Sequence, residues 1–93
     1  MPLTRGAFGR FEYDRMVVLF SMMNDEVEIP CAISTDALDS LEKSGRIAPA
    51  QRAAQFERLR DRIEDCAIRK FQLSEFEGRP PGLILRTTDF RSS

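Results

Sequence analysis

The sequence predicts an α+β fold, in which a β-hairpin and a closing strand form a small three- to four-stranded sheet with two helices packed on one face. Three observations predict it. Two β-rich stretches flank a turn at residues 24–26, two stretches with helical periodicity follow, and a third β-rich stretch comes after residues 78–82. One sheet with both helices on the same face accommodates this order most economically. The length of 93 residues fits one domain, so residues 1–93 are predicted to fold as a unit.

The first strand of the hairpin is predicted at residues 16–22. This stretch, MVVLFSM, is apolar on both alternating faces, as in a central strand. Residues 11–13 fit a short additional strand. Residues 1–10 contain Pro2, Gly6 and Gly9 with little periodicity and are predicted to be an irregular N-terminal arm, and residues 91–93 a tail.

The second strand of the hairpin is predicted at residues 27–34, VEIPCAIS. Val27, Ile29, Cys31 and Ile33 alternate on one face. Pro30 has no N–H to donate to a neighbouring strand, so this strand is expected at an edge of the sheet or with a bulge at the proline.

Two helices are predicted next. Ser34 or Thr35 suits the N-cap of the first, and Gly45 suits its left-handed end. Pro49 suits the first turn of the second helix, which is predicted to run to about residue 76. Its apolar stripe, on a step of about 100° per residue, comprises Ala53, Phe56, Leu59, Ile63, Cys66, Ala67 and Phe71. The closing strand is predicted at residues 83–90, beside the strand at 16–22.

Four of the five arginines of the second helix are the candidate interaction residues. Three lie nearly opposite the apolar stripe, where Asp61 and Asp65 are spaced to pair with them, and this balance favours a solvated surface over a docking surface. The fourth, Arg60, projects at the edge of the apolar stripe, as Lys70 does. For both, the aliphatic stem is expected to cover the core edge while the charged head reaches water. The alternative for this arginine is that a carboxylate of the sheet or of a partner subunit holds it. The four are Arg58, Arg60, Arg62 and Arg69.

The sequence offers little to support catalysis. It has no histidine, no CxxC pair and no phosphate-binding or nucleophile motif. Cys31 and Cys66 fall on core-facing positions and are expected to be free and buried. We therefore predict no catalytic, cofactor-binding or metal-binding residue and a protein that is not an enzyme. No apolar stretch reaches membrane-spanning length, and a cytoplasmic location is expected.

The order of motifs resembles a known family. The strand MVVLF, VEIPCAIS leading into DALDSL, the helix FERLRDRIEDCAIRKF and the closing LILRTTDF resemble the small bacterial proteins of domain-of-unknown-function family 1488. The resemblance spans about residues 13–90. It implies a compact α+β domain and no activity or functional residue to carry over.

A non-enzymatic binding or regulatory module that acts through protein–protein contacts is the favoured interpretation of function. Because the strand at 16–22 is apolar on both faces, two helices on one side leave the other side in need of a cover, from a second copy, from a protein partner or from the N-terminal arm with Phe8 and Phe11. A homodimer through the sheet face or the Pro30 edge is predicted. The net charge of −1 makes nucleic acid an unlikely partner. The alternatives are a nucleic-acid-binding accessory protein, or a small-ligand binder or enzyme that uses arginines and carboxylates.

Overall fold

A computed structural model describes residues 3–43, 47–78 and 81–90 and confirms the α+β fold. Within these residues, four strands form one mixed sheet in the order β1-β2-β3-β4. The first three are antiparallel and β4 is parallel to β3. The elements are β1 (Thr4–Glu12), β2 (Val17–Asn24), β3 (Val27–Ser34), α1 (Thr35–Glu42), α2 (Arg52–Gln72) and β4 (Leu83–Leu85), with 3-10 turns at Pro49–Gln51 and Thr87–Phe90.

The prediction of an irregular arm over residues 1–10 is wrong, because Thr4–Glu12 forms the strand β1 at one edge of the sheet. Its pairing with β2 shifts register on both sides of Phe8. A Cβ atom on Gly9 would lie 2.7 Å from the carbonyl oxygen of Leu19, so glycine is needed for this close approach. The glycines therefore mark irregularities within a strand.

The predicted position of the closing strand is also wrong. β4 pairs with β3 over three residues, whereas β1 lies on the outer side of β2. The strand ends at Leu85 because the Asp89 carboxylate accepts a hydrogen bond from the Arg86 backbone N–H at 2.7 Å and closes a 3-10 turn.

Pro30 consequently lies where β3 changes from an edge strand to a strand with neighbours on both sides. β3 has a neighbour on both sides at Cys31, Ala32 and Ile33, where β4 pairs with it. Pro30 precedes this segment, so the edge prediction for β3 holds only for residues 27–30.

Both predicted helices form, but α2 begins at Arg52, after a 3-10 turn that contains Pro49. The Ser34 hydroxyl accepts a hydrogen bond from the Ala37 N–H at 3.1 Å, which confirms it as the N-cap of α1. The left-handed residue after α1 is Lys43, at a φ of 54°, and the predicted stop Gly45 lies outside the described residues. The end of α2 precedes the prediction by four residues, before a left-handed Ser74.

The core lies between the sheet and the helices, as predicted. The side chains of β2 that face the helices are Val18, Phe20 and Met22, and Val17, Leu19 and Ser21 point to the other face. The remaining buried apolar residues of this core are Leu3, Cys31, Ile33, Ala37, Leu38, Phe56, Leu59, Ile63, Cys66, Ala67, Leu83 and Leu85.

Candidate functional site

Arg58 links the two helices. Its Nε atom donates to Glu42 of α1 at 2.6 Å, and its terminal nitrogen donates to the same carboxylate at 3.1 Å. The sequence predicted a pair with Asp61 on the same helix, but Asp61 contacts Arg5 of β1 instead. The i, i+3 spacing therefore predicted the wrong partner for Arg58, because Arg58 donates two hydrogen bonds to the Glu42 carboxylate of the other helix.

Arg60 is held inside the protein. Its guanidinium contacts Glu57 at 2.8 Å and Glu64 at 2.9 Å, and donates to the carbonyl oxygen of Gly6 on β1 at 3.2 Å. It also lies over the Phe56 ring, 5.4 Å from the centroid. The holding carboxylates come from α2 itself, and Arg60 joins α2 to the edge strand.

Arg62 and Arg69 remain exposed on the outer side of α2. Among the described residues neither forms an ion pair with Asp65 or another acid, contrary to the expected spacing. The structure therefore does not gather the four candidate arginines into one site.

A buried polar cluster between α1 and α2 was missed by sequence reasoning. Arg52 is only 5% exposed, and one terminal nitrogen donates to Asp39 at 2.7 Å and to Gln55 at 2.6 Å. Gln55, which is fully buried, also donates to Asp39 at 3.0 Å. The partners come from different helices, and no short-range spacing connects them. Burial alone would raise the pKa of Asp39, but the hydrogen bonds from Arg52 and Gln55 and the charge of Arg52 lower it below its ordinary value.

This cluster should make stability depend on pH. Because the folded protein lowers the pKa of Asp39, its stabilising contribution is complete above the unfolded pKa, about 3.9, and is lost as the pH falls through the folded value. We expect Asp39→Asn to reduce the free energy of unfolding by about 1–2 kcal/mol at neutral pH. The difference from wild type should shrink as the pH falls below about 3.9 and should vanish only below the folded pKa of Asp39. Urea titrations at neutral pH and in a series of buffers below about pH 3.9 measure this difference in the free energy of unfolding. The exposed turn variant Asp25→Asn is the control. A difference that grows on acidification would contradict this assignment.

Lys70 is the second buried cation. It is 7% exposed, and its ammonium donates to the carbonyl oxygen of Ile84 at 2.7 Å and to the carboxylate of Asp89 at 3.0 Å. The expectation that its head reaches water is wrong. Lys70 instead joins α2 to β4 and the turn that follows it.

The thiols are structural in this fold. Cys31 and Cys66 are free and buried, as predicted. Burial raises the pKa of Cys31 to about 12, and burial together with the nearby Asp89 charge raises the pKa of Cys66. Little reactive thiolate is therefore present at neutral pH.

Residues 3–43, 47–78 and 81–90 show neither a metal-binding cluster nor a membrane-spanning helix. They contain no group of three or more Cys, Asp or Glu side chains placed to hold a metal ion. No helix there is long and apolar enough to cross a membrane.

The face of the sheet opposite the helices is mostly apolar, and Val17, Ser21 and Ala32 are buried on it. Leu19 and Ile84 are half-buried there and flank Ala32, because Leu19 pairs with Ala32 and Ala32 with Ile84. Two shallow hollows of about 190 and 330 Å³ are both lined by Leu19 and Pro30. We call this surface the open face; it comprises Val17, Leu19, Ser21, Pro30, Ala32 and Ile84.

The fold and these side chains define a small mixed-sheet α+β domain with buried thiols, buried ion pairs and one face of the sheet free of helices. Residues 8–82 match the model of a family described as "Protein of unknown function (DUF1488)", so the chain belongs to the DUF1488 family. This confirms the resemblance noted in the sequence.

A solved structure supports the same fold. The chain is similar to the crystal structure of a protein of unknown function from the DUF1488 family of Shewanella loihica PV-4. The TM-score is 0.73 at 19% identity, over 89% of this chain and 94% of the other. No curated protein matches the chain.

Proposed function

We propose that this protein is a non-enzymatic binding module that acts through protein–protein contacts at the open face, with a second copy of the chain as its partner. The observation that carries the proposal is the row formed by Leu19, Ala32 and Ile84 on three adjacent strands, over which no helix of the described residues packs. Covering such a surface gains about 25 cal/mol per Å² of apolar area, and symmetric dimers are the commonest way in which small domains do so.

The charges around the open face favour a two-fold arrangement. Asp25, Glu26 and Glu28 lie at the β2–β3 hairpin, are exposed, and have no ion-pair partner within the described part of the chain. Arg10 and Arg15, towards the other end of β2, share one carboxylate, that of Glu12. When two open faces pack together about a two-fold axis that is parallel to the sheet and perpendicular to its strands, the acidic end of one copy lies over the basic end of the other.

The chemistry of the described side chains supports a binding role rather than catalysis. Four carboxylate–cation contacts, each of 3.0 Å or less, lie within or between the elements of the fold, where they hold those elements together: Arg52–Asp39, Arg58–Glu42, Arg60–Glu64 and Lys70–Asp89. The proposal includes a bacterial cytoplasmic location, which the two free cysteines support.

The mass in solution tests this proposal. Sedimentation velocity at micromolar concentration should give twice the monomer mass, and Leu19→Asp should raise the dimer dissociation constant about tenfold or more, because it buries an unpaired charge at the centre of the interface. Leu73→Asp is the matched control, because Leu73 is 67% exposed and lies after α2, away from the open face. A monomer at every accessible concentration would overturn the self-association.

Charge reversal tests the orientation of the two copies. Arg15→Glu and Glu28→Arg should each weaken the dimer, because like charges then face one another. The double variant should recover most of the lost affinity. Dimerisation that survives both single changes would exclude the two-fold arrangement proposed here.

A further inference from the structure

The open face carries two rows of residues that run across neighbouring strands. In the first row, Leu19 pairs with Ala32, and Ala32 pairs with Ile84. Residues two positions apart on a strand point to the same face, so a second row follows on the side nearer the β2–β3 hairpin. We call these rows the Leu19 row (Leu19, Ala32 and Ile84) and the Pro30 row (Ser21, Pro30 and Gly82).

Along the Leu19 row, the side chains alternate from large to small to large. Leu19 and Ile84 are half-buried, whereas Ala32 between them is only 5% exposed. The alanine side chain ends at its Cβ atom, while its two neighbours extend further from the sheet. The Leu19 row therefore presents two projections with a recess between them.

The Pro30 row has the opposite order, from small to large to small. Pro30 is exposed, Ser21 is buried, and Gly82 has no side chain. The hollow of about 330 Å³ is lined by Ser21 and Pro30, and the hollow of about 190 Å³ by Pro30 and Gly82. A Cβ atom on Gly82 would lie 2.3 Å from the carbonyl oxygen of Pro30, so position 82 accepts only glycine without a backbone shift. The Pro30 row therefore presents one projection between two hollows.

A single two-fold axis makes the two rows complementary. The axis is parallel to the sheet, perpendicular to its strands and placed midway between the rows. It puts the Leu19 row of one copy over the Pro30 row of the other, with each strand over the same strand of its partner. Every large side chain then lies over a small residue, in the pairs Leu19–Ser21, Pro30–Ala32 and Ile84–Gly82. This axis has the same orientation as the one that brings the acidic and basic ends together.

We propose that two copies of the chain pack their open faces in this one register, with Leu19 and Ile84 of each copy seated in the two hollows of the other. The inference rests on the self-association proposed above and adds the residues that determine its geometry. An axis through the Leu19 row itself would place each Leu19 on its own symmetry mate and leave the hollows empty. Because the core of a stable interface is packed as closely as a protein interior, the complementary register is favoured.

NMR contacts between methyl groups test the register in a mixed dimer of one ¹³C-labelled and one unlabelled copy. We expect nuclear Overhauser effects between Met23 of one copy and Val17 of the other, since these residues lie on either side of the axis at equal distances. Within one chain they are six positions apart on β2, about 20 Å, which is too far for such a contact. A dimer with Leu19–Leu19 contacts instead would overturn the register and leave self-association intact, whereas a monomer would overturn both.

A substitution provides the second test. Ile84→Ala shortens a projection of the Leu19 row, leaves the partner's hollow at Gly82 unfilled and should raise the dimer dissociation constant about tenfold. Val27→Ala is the matched control, because Val27 is 60% exposed and, by alternation with Ile29, points to the opposite face of the sheet. Its dissociation constant should equal that of the wild type. An unchanged constant for Ile84→Ala, or an equal loss in the two variants, would contradict the proposed register.

Discussion

Phe56→Ala is expected to lower the free energy of unfolding by about 3–5 kcal/mol, the range for removal of a buried aromatic side chain. Phe56 is fully buried on α2. Its ring lies 5.4 Å from that of Phe8 and 5.1 Å from that of Phe20, so one side chain joins the helix to both β1 and β2. The Arg60 guanidinium covers the same ring, and the substitution removes this contact as well.

Chemical denaturation, monitored by circular dichroism, measures this loss of stability. In a domain of this size, such a loss lowers the melting temperature by roughly 12–40 °C, since 1 kcal/mol corresponds to about 4–8 °C. Leu73→Ala is the matched control and should change the free energy of unfolding by less than about 0.5 kcal/mol, because Leu73 is exposed. A Phe56→Ala protein as stable as the control would mean that α2 does not pack on the sheet through this ring.

Lys70→Met is expected to lower the free energy of unfolding by about 2–4 kcal/mol. Breaking a fully enclosed ion pair costs about 3–5 kcal/mol, and the value here is smaller because the Asp89 side chain is 20% exposed. Methionine keeps an apolar stem in place, but the Ile84 carbonyl and the Asp89 carboxylate both lose their ammonium donor.

A double-mutant cycle separates the ion pair from the packing. Asp89→Asn in the Lys70→Met background should cost less than it does alone, since the interacting charge is already absent. Lys43→Met is the control, because Lys43 is exposed and the sequence contains no other lysine. Strict additivity of the Lys70 and Asp89 changes would show that the two groups do not interact.

The sequence predicted the elements whose determinants are local. Periodicity placed β2, β3 and α2, and the Ser34 cap placed the start of α1, because each depends on neighbouring residues only. β1 was missed over residues 4–10 because its glycines were interpreted as signs of an irregular arm, although they permit close approach to β2. The neighbour of β4 was wrong because the edge of β2 was already occupied by that unrecognised strand.

The partners of the charged residues were less predictable. Arg58 and Asp61 were paired by helical spacing, yet each contacts a residue on another element. The Arg52–Asp39 contact joins residues thirteen positions apart across two helices. Their proximity depends on the angle and separation of α1 and α2, which periodicity does not encode. The open face was anticipated as a consequence of β2 being apolar on both sides, although which alternating set faces the helices was left open.

The parallel pairing of β4 with β3 has a consequence for the order in which the chain folds. Cys31 and Leu83 are partners across roughly fifty residues, whereas β1, β2 and β3 are joined by short turns. The entropy of closing so long a loop must be overcome before the three-residue contact of β4 contributes. We therefore expect the antiparallel meander and the two helices to form first, and β4, held by the hydrogen bond from Lys70 to Ile84, to dock late and complete the sheet.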